Sequence, residues 1–133
     1  MTRRESREQA LALVFSMMFN GDVPPQELCE LSKISLDLKD DEFSQMLFNG
    51  VCEKLEEIDE AIDKCMLTWN KNRISKVSLA VLRLAVYEIL YIEEIPASVS
   101  INEAIELAKK FASDDDASFV NGILGTVCRN NEA

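Results

Sequence analysis

The stretch from Val77 to Leu90 is the feature that most constrains the fold. Its apolar residues cover nearly every side of a helix, and they are Val77, Leu79, Val81, Leu82, Leu84, Val86, Ile89 and Leu90. A helix with this pattern has to lie buried at the centre of a bundle. We expect it to begin at Ser75 or Lys76 and to end before Pro96, because the residue before a proline disfavours the helical region.

Further segments carry apolar residues three or four positions apart, the spacing of a helix with one buried face. Their expected starts are the capping box Thr2–Glu5, the prolines Pro24 and Pro25, Asp40 or Asp41, Asp59, a second capping box at Ser100–Glu103, and the acidic run Asp114–Asp116. The loop Asn70–Asn72 should follow the fourth helix. Sustained alternation of apolar and polar residues, which would indicate strands, occurs nowhere. The sequence therefore predicts an all-α fold of about seven short helices.

The charge of the chain is negative in total but unevenly distributed. The formal net charge is −10, which by itself argues against a nucleic-acid partner. The segment from Asp37 to Asp63 is strongly acidic, whereas the stretch from Lys64 to Tyr87 contains basic residues and no acidic one. Exposed charges more than about 10 Å apart are largely screened from one another. We therefore expect a local positive patch on an acidic protein.

Several classes of function lack the residues that they need. The chain has no histidine, so a Ser-His-Asp or Cys-His arrangement cannot exist. Its glycines form no phosphate-binding loop, and its four cysteines lie far apart without a C-x-x-C pair. No segment approaches the ~20 apolar residues of a membrane span, and the charged start does not resemble a signal peptide. We expect a cytoplasmic protein that is not an enzyme and has no cofactor, metal site or membrane partner.

Four stretches resemble the NusB family. They are the opening Arg3–Ala10, Leu82–Leu90 (LRLAVYEIL), Ile95–Lys109 (IPASVSINEAIELAK) and Phe119–Gly125 (FVNGILG). The resemblance spans almost the whole chain, and its C-terminal part is the most specific. It implies a single domain over residues 1–133 that consists of two perpendicular three-helix bundles, the N-terminal one at about 1–70 and the C-terminal one at about 74–131.

The resemblance also implies a function. NusB proteins bind the boxA element of nascent RNA as a heterodimer with NusE, a small-subunit ribosomal protein. The complex then helps the transcribing RNA polymerase to read through terminators, notably in ribosomal RNA operons. For this chain the resemblance implies the same partners, with the C-terminal half facing NusE. An alternative stays open, in which the fold serves as a protein–protein adaptor, for example a homodimer, without RNA recognition.

Arg3, Arg4 and Arg7 match the arginine-rich start of the family and are the first predicted RNA contacts. Arg7 lies three and four positions after the other two, so the three side chains share one face of a helix. Guanidinium groups hydrogen-bond phosphate oxygens and stack on unpaired bases. The simpler interpretation is that these arginines only solubilise a frayed terminus.

Three further positions match family residues at the RNA surface. Lys76 starts the central helix, Phe119 matches an aromatic residue that stacks on a base, and Asp115 falls near an acidic residue at the RNA edge. Each also has a simpler interpretation, namely a solvated lysine, a core phenylalanine and a carboxylate that favours a helix start. Ser78 and Leu79 stand where the family often has a charged pair, which predicts altered RNA contacts on this helix.

Overall fold

The computed structural model describes residues 1–66 and 74–132, and within them the chain is all-helical. The helices are α1 (Arg3–Met17), α2 (Pro25–Ser35), α3 (Glu42–Glu53), α4 (Leu55–Cys65), α5 (Lys76–Tyr91), α6 (Ala97–Phe111) and α7 (Asp114–Glu132). The predicted all-α fold of about seven helices is confirmed. The predicted loop Asn70–Asn72 lies outside the described residues. Among the described helices, none has the length and apolar character that crossing a membrane requires.

Capping residues determine where several helices begin. The Thr2 hydroxyl accepts a hydrogen bond from the Glu5 amide at 3.1 Å, and the Glu5 carboxylate accepts one from the Thr2 amide at 2.8 Å. Asp41 caps α3 through the amide of Ser44 at 2.9 Å. The Ser44 hydroxyl also donates to Asp41, and these hydrogen bonds lower the pKa of the Asp41 carboxyl. Ser75 caps α5 as predicted.

The predicted start of the fourth helix is wrong. α4 begins at Leu55, directly after Lys54, whose backbone separates it from α3. Asp59 therefore lies inside α4. Its carboxylate accepts hydrogen bonds from the Arg83 guanidinium of α5 at 2.9 and 3.0 Å. Asp59, which the sequence assigned to a helix cap, therefore pairs with a residue of another helix.

The predicted capping box before the sixth helix is also wrong. α6 begins at Ala97 after Pro96, so Ser100 lies within the first turns of the helix and not before it. Ser100 is buried, and its hydroxyl donates a hydrogen bond to the Glu88 carboxylate at 3.0 Å. The residue therefore joins α6 to α5 and does not cap its own helix.

α5 is the central helix, as its apolar pattern predicts. It packs against α1, α3, α4, α6 and α7. The helices α1 to α3 contact one another, as do α5 to α7, whereas α4 lies against α3, α5 and α7. Ala80, Val81, Leu82 and Val86 of α5 are fully buried between these neighbours. The division of the chain at about residue 70 stays a prediction.

α3 and α5 approach one another closely at Gly50. A Cβ atom at this position would overlap the ring of Tyr87 on α5. We predict that Gly50→Ala lowers the melting temperature, because overpacking costs about 1–3 kcal/mol and outweighs the gain of roughly 1 kcal/mol in helix propensity. Circular dichroism melts would measure the change.

Gly21→Ala is the matched control for this substitution. A Cβ atom at Gly21 would meet no atom within 4 Å, and the backbone there does not have a positive φ. The control should melt at or above the temperature of the unmodified chain. Equal melting temperatures for the two variants would show that the contact between Gly50 and Tyr87 is not tight.

Candidate nucleic-acid interface

α1 and α5 run in opposite directions, and this determines where the candidate residues lie. Near one end of the pair, Arg7 of α1 contacts Glu88 of α5. Near the other end, Phe19, just after α1, contacts Lys76 at the start of α5. The helical rise of about 1.5 Å per residue separates Lys76 from Glu88 by roughly 18 Å. We call these regions the arginine end and the lysine end. The candidate cations therefore do not form the single compact patch that the sequence suggested.

Arg7, at the arginine end, is a core residue. Its side chain is only 5% exposed, and its guanidinium donates to both carboxylate oxygens of Glu88 at 2.8 and 3.0 Å. Ser100 of α6 donates to the same carboxylate. Bidentate pairs of this kind are among the stronger hydrogen-bonded contacts in proteins. The burial argues against the predicted RNA contact, and we assign Arg7 a structural role in its place.

Arg4 is accessible but paired. Its side chain is 58% exposed, and its guanidinium donates to the Glu103 carboxylate of α6 at 3.1 and 3.3 Å. The hydrogen bond and the charge of Glu103 raise the pKa of Arg4. An exposed pair of this kind is weak and exchanges readily with solvent. Arg4 could therefore bind a phosphate only in competition with Glu103.

Arg3 is exposed, and its contact is with an aromatic ring. The guanidinium carbon lies 4.0 Å from the ring centroid of Phe43, a half-buried residue in the first turn of α3. In the described part of the chain, no carboxylate lies within ion-pair distance of Arg3. The Phe43 ring holds the guanidinium through a cation–π contact while leaving its charge uncompensated. Arg3 is therefore an accessible, unneutralised cation at the arginine end.

Lys76 at the lysine end has a similar environment. It is exposed at the first position of α5, and its ammonium nitrogen lies 4.8 Å from the ring centroid of Phe19. The Phe19 ring is in turn supported by Phe15, with the centroids 5.1 Å apart and the rings at 62°. Within residues 1–66 and 74–132, no carboxylate is close enough to Lys76 to form an ion pair.

The candidates on α7 differ in exposure. Asp115 is exposed in the first turn, where the Ser113 hydroxyl caps the helix by accepting a hydrogen bond from the Asp116 amide at 3.0 Å. Phe119 is half-buried and packs against the core. Phe119 therefore contributes to packing and keeps partial exposure. The structure thus allows both interpretations of Phe119 that the sequence left open.

A sequence model of the NusB family matches residues 4–129. The chain belongs to the NusB family. Among its relatives, the "Transcription antitermination protein NusB" of Finegoldia magna is 40% identical, and the alignment covers 99% of this chain and 97% of the relative. The protein of the same name from Ruminiclostridium cellulolyticum is 42% identical, with 98% and 91% covered. The resemblance found in the sequence is confirmed.

Solved structures of the NusB family have the same fold. Thermotoga maritima NusB superposes with a TM-score of 0.85 at 32% identity, over 100% of this chain and 94% of the other. A crystal structure of the antitermination factors NusB and NusE in complex with double-stranded RNA superposes with a TM-score of 0.82 at 24% identity. The superposition covers 98% of this chain and 99% of the other. At that identity the second comparison shows the common fold alone.

Ser78 and Leu79 are the positions at which the chain departs from the NusB pattern. Neither of them is fully exposed. Ser78 is fully buried in the first turn of α5, and its amide donates to the Ser75 hydroxyl at 3.0 Å. Leu79 is half-buried and lines a cleft with Ile74 and Arg83. The departure at Ser78 therefore falls at a packed position of α5, and its effect on RNA contacts stays a prediction.

Two aromatic residues of this NusB chain were missed by sequence reasoning, which followed charge and family motifs. Phe43 supports Arg3, and Phe19 contacts Lys76. Phe19 could have been noticed because it lies beyond the apolar stripe of α1, next to the polar Asn20 and Gly21. Phe43 gave no such signal, since its position fits the apolar stripe of α3.

The described residues offer little for metal or thiol chemistry. Among them, no three histidine, cysteine, aspartate or glutamate side chains are grouped so that they could hold a metal ion. Burial raises the pKa of the Cys52 thiol to about 11, which disfavours its reactive thiolate form.

We predict that Glu88→Leu destabilises the fold strongly, because it leaves the Arg7 guanidinium buried without a counter-charge. Removing one partner of a buried ion pair typically costs about 3–5 kcal/mol. The double variant Arg7→Met/Glu88→Leu should recover most of the loss, since neither charge then remains. Urea unfolding would measure both. The control Glu103→Leu, which breaks the exposed pair with Arg4, should cost about 1 kcal/mol or less. Equal losses for Glu88→Leu and Glu103→Leu would contradict the structural role of Arg7.

Proposed function

We propose that this chain is a transcription antitermination factor that binds boxA RNA together with NusE and helps RNA polymerase to read through terminators. The observation that carries the proposal is the match of residues 4–129 to the NusB family. Relatives 38–42% identical over nearly the whole chain are named transcription antitermination proteins. The proposed mode of action is binding, without catalysis, as part of a cytoplasmic transcription complex.

The proposed RNA contacts come from both ends of the α1–α5 pair. Arg3 and Lys76 are the cations that we assign to phosphates, since each is exposed and carries a charge that no described carboxylate compensates. Arg4 contributes when a phosphate displaces Glu103. Because the two ends are roughly 18 Å apart along α5, a strand that contacts both must be extended and not coiled into a pocket. Such a strand has unpaired bases that side chains can reach.

α7 supplies the other proposed contacts. The half-buried Phe119 can stack on an unpaired base, and the exposed Asp115 carboxylate can accept hydrogen bonds from base amino groups. Neither side chain adds positive charge to a chain whose net charge is −10. We therefore expect weak RNA binding by the chain alone and stronger binding when NusE adds its own contacts and charge.

We predict that Arg3→Ala/Lys76→Ala weakens boxA binding and reduces its salt dependence. Each phosphate contact on a single strand contributes a slope of about 0.7 in a plot of log affinity against log salt. Losing two contacts should therefore reduce the slope by roughly 1.4. Fluorescence anisotropy with labelled boxA RNA and a scrambled RNA, with and without NusE, would measure both quantities.

Lys64→Ala is the matched control for this experiment. Lys64 is an exposed lysine on α4 whose ammonium already pairs with Glu60 at 3.4 Å. Its removal should leave the slope unchanged, and Arg4→Ala should give an intermediate effect. Binding of NusE without any preference for boxA over the scrambled RNA would favour the adaptor function.

A further inference from the structure

The lysine end contains an aromatic side chain to which the proposed function gives no role. Phe19 is 56% exposed, although the core is close enough for Phe15 to contact its ring. Single exposed apolar residues are common on protein surfaces, so exposure alone indicates little. The arrangement around Phe19 is more informative, because an edge-on ring supports it and an uncompensated cation lies over it.

Hydrogen bonds hold Phe19 in this exposed position. Its amide donates to the Ser16 carbonyl at 3.1 Å, and the Asn20 side chain donates to the same carbonyl at 2.9 Å. The Val23 amide then donates to the Asn20 carbonyl at 3.0 Å, which closes the turn after α1. The ring is therefore presented by an ordered turn, and a ligand that binds it does not have to order the backbone first.

We propose that Phe19 and Lys76 form a subsite for one unpaired nucleobase of single-stranded RNA. The base stacks on the Phe19 ring while the Lys76 ammonium binds the adjoining phosphate. An exposed cation–π contact is weak and the lysine stem is flexible, so the ammonium can leave the ring when a base arrives. Every base has a π face, and stacking on aromatic side chains is a general means of holding single strands.

The surroundings of Phe19 favour a nucleobase over a protein partner. The neighbouring Asn20, Gly21 and Asp22 are exposed and mostly polar, so the chain next to the ring does not extend an apolar face. A stable protein interface buries about 800 Å² on each side, far more than one ring provides. An aromatic ring paired with an unneutralised cation matches the two parts of a nucleotide. Asp22 follows three residues after Phe19 and brings a negative charge, so we expect stacking to contribute more than charge here.

The proposal rests on the proposed RNA-binding function and is tested with the full chain and boxA RNAs that carry one abasic nucleotide at successive positions. The unmodified chain should lose affinity at one position by about 5- to 20-fold, the lower part of the range for base–aromatic stacking. Phe19→Leu should bind intact RNA more weakly than the unmodified chain by a similar factor. Removing the base at the sensitive position should not weaken the binding of this variant further. Phe19→Trp, which keeps a π face, should bind at least as tightly as the unmodified chain.

Tyr91→Leu is the matched control. Tyr91 is also an exposed ring with a lysine over it, since the Lys54 ammonium lies 5.6 Å from its centroid. It stands at the other end of α5, roughly 22 Å from Lys76 at about 1.5 Å per residue. Because this is the arginine end, the control is judged by the abasic series: Tyr91→Leu should still lose affinity at the same abasic position as the unmodified chain. Circular dichroism would check that each variant is folded.

The outcomes separate this proposal from the function on which it rests. If the unmodified chain with NusE does not distinguish boxA from a scrambled RNA, both are overturned. If it does, and Phe19→Leu binds boxA as tightly, the subsite is overturned and the function stands. The subsite is also overturned if Phe19→Leu weakens NusE binding in the absence of RNA, because the ring is then a protein contact.

Discussion

The buried pair between Arg7 and Glu88 is the contact on which the rest of this structure depends. Burying two charges is costly, and the cost is offset only where the geometry is good and the remaining hydrogen-bonding positions are filled. Here the guanidinium donates twice to the carboxylate, and Ser100 donates a third hydrogen bond to it. Because these residues come from α1, α5 and α6, the pair fixes how the first helix lies against the C-terminal helices.

That arrangement decides which cations can reach a ligand. With Arg7 turned inward, Arg4 lies against Glu103 of α6, and Arg3 reaches the Phe43 ring of α3. The spacing of the three arginines predicts that they share one side of α1. The spacing could not tell which part of that side the rest of the protein covers. One arginine therefore supports the fold, one is paired at the surface and one is accessible.

The sequence predicts those parts of the fold that depend on local patterns. The number of helices, the caps at Thr2 and Asp41 and the central position of α5 follow from periodicity and capping chemistry. The sequence-based prediction fails where a side chain that could cap its own helix instead pairs with a residue far away in the sequence. Asp59 binds Arg83 and does not cap a helix. The same limit applies to the candidate surface, since the contact between Phe19 and Lys76 joins residues far apart in the sequence.

Net charge is a poor guide to this surface because the charges are compensated locally. Lys33 pairs with Asp40 at 2.6 Å and Arg83 with Asp59, so some carboxylates of the acidic segment are compensated by cations next to them, while most of the segment stays negative. The screening distance of about 8–10 Å then leaves Arg3 and Lys76 as separate positive points on an acidic protein. Two such points attract a strand weakly. Aromatic rings next to both cations provide a contribution that salt does not screen, and this combination suits a protein that binds RNA with the help of a partner.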